Sequence, residues 1–163
     1  MTMQNPSPVS LIGRYTQNIP VDVYSLLGEI GLGPDFIDMD DDVSGWIERR
    51  PDGSYRVAIN SRHHRVRQRF TAAHELGHFI YHRDLLGNGV GDTRAYRAEG
   101  SGRPNPSILP THERQANSFA ANLLMPRDQI YRQMQLGLQS TEALANLFDV
   151  SQPAMRIRLG RAG

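Results

Sequence analysis

The spacing of apolar positions changes several times along this chain, and each change predicts an element. From Val21 to Ile30, the residues Val23, Leu26, Leu27 and Ile30 recur three or four apart, which puts them on one face of a helix that Gly31 and Gly33 end. An extended stretch, Phe36 to Met39, overlaps the acidic residues Asp38, Asp40, Asp41 and Asp42. Val43–Arg49 and Tyr55–Asn60 read as two strands, joined by the hairpin signal Pro51-Asp52-Gly53.

A helical pattern resumes from about His64 to His82, with Phe70, Ala73, Gly77 and Ile80 on its packed side. Residues 83–110 break it with five glycines and three prolines. That segment is too long for an ordinary connection, and a substrate-contacting loop is the expectation. A second long helix is predicted from Thr111, as N-cap, to Met125, where Pro126 stops it. Shorter helices follow over 127–136, 141–148 and 152–159. Residues 1–19, with Pro6, Ser7, Pro8, Ser10 and Gly13, read as a loose lead-in, leaving 20–163 as a single domain. The fold class expected is α+β: a small antiparallel sheet packed against the 64–82 helix, with a mostly helical C-terminal half.

Candidate chemistry lies in that helix, at His74-Glu75-Leu76-Gly77-His78. Positions i and i+4 share a helical face, so two imidazoles can meet one cation there. Glu75 sits about 100° round the helix from His74, placed to hold a metal's water rather than to ligate. Gly77 costs the helix about 1 kcal/mol relative to alanine, which argues for a close neighbouring helix. A catalytic zinc takes three protein ligands and leaves a fourth position for water. His82 lies roughly 12 Å along the axis from His74, too far to share the ion. Position 84 is Asp84, where a metzincin would carry a third histidine. A glutamate from a second helix remains, and Glu113 fits, in the first turn of a helix whose Ala116, Ala120 and Ala121 permit close approach. Asn117, one turn on, could accept a ring N–H from a ligating histidine. On residues alone His112, or an acid of the 83–110 loop, stays open as the alternative third ligand.

Composition narrows the setting. The chain has 163 residues, 39% hydrophobic and 21% charged, an ordinary globular balance. A net charge of +1 gives no bulk pull toward nucleic acid or anionic membrane. The absence of cysteine excludes disulfides, thiolate metal sites and cysteine nucleophiles. All 18 basic residues are arginine, which excludes lysine chemistry. With no basic n-region before an apolar run and no long apolar span, a cytoplasmic location without membrane contact is expected.

Arg69-Phe70-Thr71-Ala72-Ala73-His74-Glu75-Leu76-Gly77-His78, followed by Glu113, Ala116, Asn117, Phe119, Ala120, Ala121, Leu123, Leu124, Met125 and Pro126, resembles the ImmA/IrrE family of gluzincin-type metallopeptidases. Val43-Ser44-Gly45-Trp46 and its hairpin are similar too, and the likeness covers roughly residues 20–160. The resemblance implies Zn2+ held by His74, His78 and Glu113, with Glu75 as the catalytic base. It also implies cytoplasmic cleavage of a protein, commonly a helix-turn-helix (XRE-type) repressor of a bacterial or phage regulatory or stress-response system. The Gly/Pro-rich 83–110 insert is the visible departure.

Two features lie outside that motif. Arg62, Arg65, Arg67 and Arg69, with His63 and His64, crowd the start of the zinc helix against its dipole, and pairing with the Asp38–Asp42 run is expected to compensate. Residues 144–159 have a helix-turn-helix look, which supports a rival reading as a DNA-binding transcriptional regulator with a structural zinc. Against it, the second helix is short and the chain lacks a basic footprint, so core packing by Met155, Ile157 and Leu159, or substrate docking, is expected and direct nucleic-acid binding is not.

Overall fold

In the computed structural model, residues 5–86, 95–96 and 107–161 are described, 95–96 as backbone only. The lead-in expected to be loose holds a helix, α1 (Pro8–Tyr15), because Ser7 accepts from the Ser10 amide at 3.2 Å and Pro8 opens the first turn. Leu11 then inserts into the core. α2 (Val23–Ile30) is capped by Asp22, which accepts from the Ser25 amide at 3.1 Å. It ends as expected at Gly31, whose φ of +91° is a left-handed conformation that glycine adopts without penalty.

β1 (Asp35–Ile37), β2 (Gly45–Arg49), β3 (Tyr55–Asn60) and β4 (Ala95–Tyr96) form one sheet in the order β1-β3-β2-β4. β2 and β3 are the expected antiparallel hairpin, with Trp46 opposite Ala58 and Ile47 opposite Val57. Its turn is tied by Asp52, whose Oδ1 accepts from the Ser54 amide at 2.9 Å. The sheet as a whole is mixed, because β1 lies parallel to β3 with Phe36 opposite Ile59. The connection between these parallel strands, residues 38–54, contains β2, and residues 38–44 form the crossover past the end of β3 that reaches it. Asn60, fully buried, holds that crossover: its Nδ2 donates to the Asp40 and Val43 carbonyls at 2.9 and 2.8 Å, and its Oδ1 accepts from the Arg62 amide.

α3 (Arg65–Tyr81) crosses one face of this sheet, and a 3-10 turn, Arg83–Leu86, follows. Gly45 permits the close fit: a Cβ there would strike the Ala58 carbonyl and lie 2.8 Å from Thr71 Cγ2. α4 (Pro110–Leu124) packs against α3 more extensively than any other pair of elements. α5 (Arg127–Gln135), α6 (Thr141–Phe148) and α7 (Gln152–Arg158) complete the helical C-terminal half. Ile47, Val57 and Ile59 of the sheet, Ala72, Ala73 and Leu76 of α3, Leu123 and Leu124 of α4, and Leu144, Phe148 and Met155 of α6 and α7 share one core. The α+β class is therefore as expected. Among the described residues no helix is long and apolar enough to cross a membrane.

Candidate metal centre

α3 is buried continuously from Thr71 to Phe79, unlike a surface helix with one apolar stripe, so the polar groups of its middle turns must be satisfied within the protein. His74, Glu75 and His78 are fully buried. α4 reaches them through the gap at Gly77, where a Cβ would lie 3.2 Å from Ala116 Cα and 3.1 Å from Phe119 Cδ1. This is the close neighbouring helix that the mid-helix glycine predicted.

At that contact His74 Nε2 lies 3.0 Å from Glu113 Oε2, and His78 Nε2 lies 3.0 Å from Glu113 Oε1. One carboxylate thus faces both imidazoles, and a ligand atom from each of the three residues lies within 4.8 Å of the others. His74 Nδ1 donates to Asn117 Oδ1 at 2.8 Å, the contact expected from the i+4 spacing on α4. His78 Nδ1 lies 2.9 Å from His82 Nδ1, and His82 Nε2 lies 2.8 Å from Gln115 Oε1. The second nitrogen of each histidine is therefore engaged away from the cluster, which leaves both Nε2 atoms turned toward Glu113.

Burial alone would raise the Glu113 carboxyl, but hydrogen bonds and positive charge from His74 and His78 pull it down to about 2. Burial lowers His82, against the opposing pull of the Gln115 hydrogen bond. The donor set of two imidazoles and one carboxylate suits a divalent ion such as zinc, which would displace the protons shared at this contact.

Several details differ from expectation. Thr111 does not cap α4; the helix starts one residue earlier after Leu109, whose amide donates to His112 Nδ1 at 2.9 Å. His112, the alternative third ligand, is occupied in this way, and its ring lies 4.8 Å from that of His82. His82 is buried between His78 and Gln115. Tyr81 is half exposed and packs edge-on to Phe119 at 5.9 Å. The Tyr96 side chain, Arg97 and most of the 83–110 loop lie outside the described residues.

The arginine cluster is only partly matched as predicted. Arg62 pairs with Asp38 and, at 3.6 Å, with Asp41. Arg65 and Arg69 instead reach Asp149 in the α6–α7 turn, at 2.8 and 3.4 Å. Asp149, at a left-handed φ of 57° in that turn, was missed because its partners lie some eighty residues away. Within the helix-turn-helix-like segment Met155 is buried and Leu159 packs partly buried against the core, as expected, beside the buried Leu144, Ala145 and Phe148, whereas Ile157 is 80% exposed. Gln115 and the position of His82 behind His78 were also missed, although the i+4 spacing from His78 to His82 was a visible signal.

A helix presenting His-Glu-x-x-His to a glutamate on a neighbouring helix is an arrangement in keeping with a peptidase. The family model Peptidase_M78, the IrrE N-terminal-like domain, matches residues 35–160, and the chain belongs to this family. The family is one of peptidases, hydrolases of peptide bonds. No curated protein matches the chain.

Proposed function

We propose that this chain is a zinc-dependent endopeptidase in which His74, His78 and Glu113 hold the ion and Glu75 is the general base. The observation that carries the reading is the convergence of both Nε2 atoms on the two oxygens of Glu113, each at 3.0 Å. Zinc, when bound, supplies Lewis acidity and lowers the pKa of a water toward about 7. Glu75, fully buried on α3 in the turn between the two histidines, takes the proton of the attacking water and passes it to the leaving amine. Asn117 holds the His74 proton at Nδ1, so Nε2 is the nitrogen that ligates.

The family supports a protein substrate. We take that substrate to be a cytoplasmic helix-turn-helix repressor of the XRE type, in a bacterial or phage regulatory or stress-response system, because the motif residues resemble ImmA/IrrE proteins. The burial of α6 and α7 side chains in the shared core supports an enzyme over a DNA-binding regulator with a structural zinc. Arg158 points the same way, since its Nε donates to the Met125 carbonyl at 3.0 Å within the protein.

The test is metal analysis and cleavage on one set of variants. Wild type should carry one zinc per chain and cut a co-expressed repressor encoded beside it. His74→Ala and His78→Ala should lose the zinc. Glu75→Gln should keep zinc and fold while cleavage falls about 10²- to 10⁴-fold, the usual contribution of a positioned base. Full zinc in either histidine variant, or cleavage by Glu75→Gln near the wild-type rate, would refute the assignment.

A further inference from the structure

His82 is too far along α3 to share an ion with His74, yet it is buried and its imidazole is engaged at both nitrogens. We propose that His82 and Gln115 are positioning residues that set which nitrogen of His78 carries a proton, and so present His78 Nε2 to the metal as a lone pair. The proposal rests on the zinc reading above and adds residues outside its ligand set.

The argument is one of donors and acceptors. His78 Nδ1 and His82 Nδ1 face each other at 2.9 Å, so one proton lies between them. Gln115 presents its carbonyl oxygen to His82 Nε2 at 2.8 Å, and a carbonyl only accepts, so His82 Nε2 carries a hydrogen. A neutral His82 protonated at Nε2 has its lone pair at Nδ1. The shared proton then belongs to His78 Nδ1, so the proton between His78 Nε2 and the Glu113 carboxylate is the one a bound metal would displace, which leaves the lone pair at Nε2.

The reverse order requires Gln115 to turn its amide and donate. His82 Nδ1–H would then donate to His78 Nδ1, and the proton of His78 would sit on Nε2, where it blocks ligation. The amide of one residue on α4 therefore selects the metal-binding tautomer of a histidine on α3, through an intermediate imidazole. His74 is served more directly, by Asn117. Both devices come from α4, the helix that also carries Glu113, so docking of α4 sets the third ligand and the tautomers of the other two together.

The experiment measures zinc affinity of the full-length chain by chelator competition, with melting curves as the fold control. It also records long-range proton–nitrogen correlations of the imidazoles in the metal-free and zinc-loaded protein. His82→Phe should weaken zinc binding about 10- to 100-fold, the usual effect of losing a partner behind a ligating histidine. His82→Gln, whose side-chain carbonyl can accept from His78 Nδ1–H, should recover most of that loss. Gln115→Met should weaken zinc and convert His82 from the Nε2–H form to a mixture. The double variant should be no worse than His82→Phe alone, because Gln115 acts only through His82.

Wild-type affinity in a folded His82→Phe, or additive losses in the double variant, would overturn the proposal. If His82→Phe fails to fold, an unchanged His82 tautomer and unchanged affinity in Gln115→Met would overturn it equally. If wild type itself binds no zinc, the ligand reading fails. The nitrogen spectra then still decide the proton order, and a His82 carrying its proton at Nδ1 would overturn it.

Discussion

Replacing Gly77 with alanine tests whether the distance between α3 and α4 sets the metal centre. The perturbation is one methyl group, placed 3.1 Å from Phe119 Cδ1, 3.2 Å from Ala116 Cα and 3.3 Å from the Ala116 carbonyl oxygen. Two effects oppose each other in stability. Alanine in a helix interior stabilises by about 1 kcal/mol relative to glycine. Overpacking a tight interior contact costs about 1–3 kcal/mol. The net expectation is a metal-free protein between unchanged and about 2 kcal/mol less stable.

The Phe119 ring can rotate, but two of the three contacts are α4 backbone, so relief requires α4 to move by a few tenths of an ångström. Glu113 lies one turn before Ala116 on the same helix and must move with it. Ligand distances at a metal tolerate only about 0.2 Å. Zinc affinity should therefore fall by about tenfold or more, which is a loss of about 1.4 kcal/mol. Urea denaturation of the metal-free protein and chelator competition with zinc give the two numbers separately. A Gly77→Ala protein about 1 kcal/mol more stable, with zinc affinity within twofold of wild type, would show that α3 and α4 are not held apart by this contact.

Glu113→Ala should weaken zinc binding far more than His112→Ala in the same competition assay, because Glu113 faces both imidazoles while His112 is engaged with the Leu109 amide. Gly45→Ala should destabilise the protein by about 1–3 kcal/mol in urea, since its Cβ has no room between the Ala58 carbonyl and Thr71; unchanged stability would refute that fit. Arg156→Ala combined with Arg158→Ala should lower the melting temperature through loss of the Met125 contact and leave DNA binding unaffected. Sequence-dependent binding to promoter fragments at physiological salt that vanishes in the double variant would contradict this.

Much of the centre was legible before any fold was known, because its logic is local. The i, i+4 spacing of His74 and His78 places them on one face of any helix, and Gly77 between them signals a close neighbour. The hairpin, α2 and the helical C-terminal half follow from apolar spacing and turn residues in the same local way. Which of Glu113 and His112 faces the two imidazoles was less legible. It depends on where α4 begins, and that start is set by Pro110 and the His112 side chain rather than by Thr111.

What the tertiary structure decided are relations between segments distant in sequence. The parallel placement of β1 depends on the crossover that Asn60 holds from twenty residues away, and strand alternation carries no information about neighbours in a sheet. Arg65 and Arg69 find Asp149 instead of the nearer acidic run because α3 and the α6–α7 turn meet across the core. The fate of Ile157, which the pattern put inside and the fold leaves in solvent, depends on which face of a seven-residue helix finds a partner. His82 shows the same division. Its spacing from His78 was plain in the sequence, but its proton order is decided by a glutamine on another helix, and hydrogen-bond direction exists only once both helices are in place.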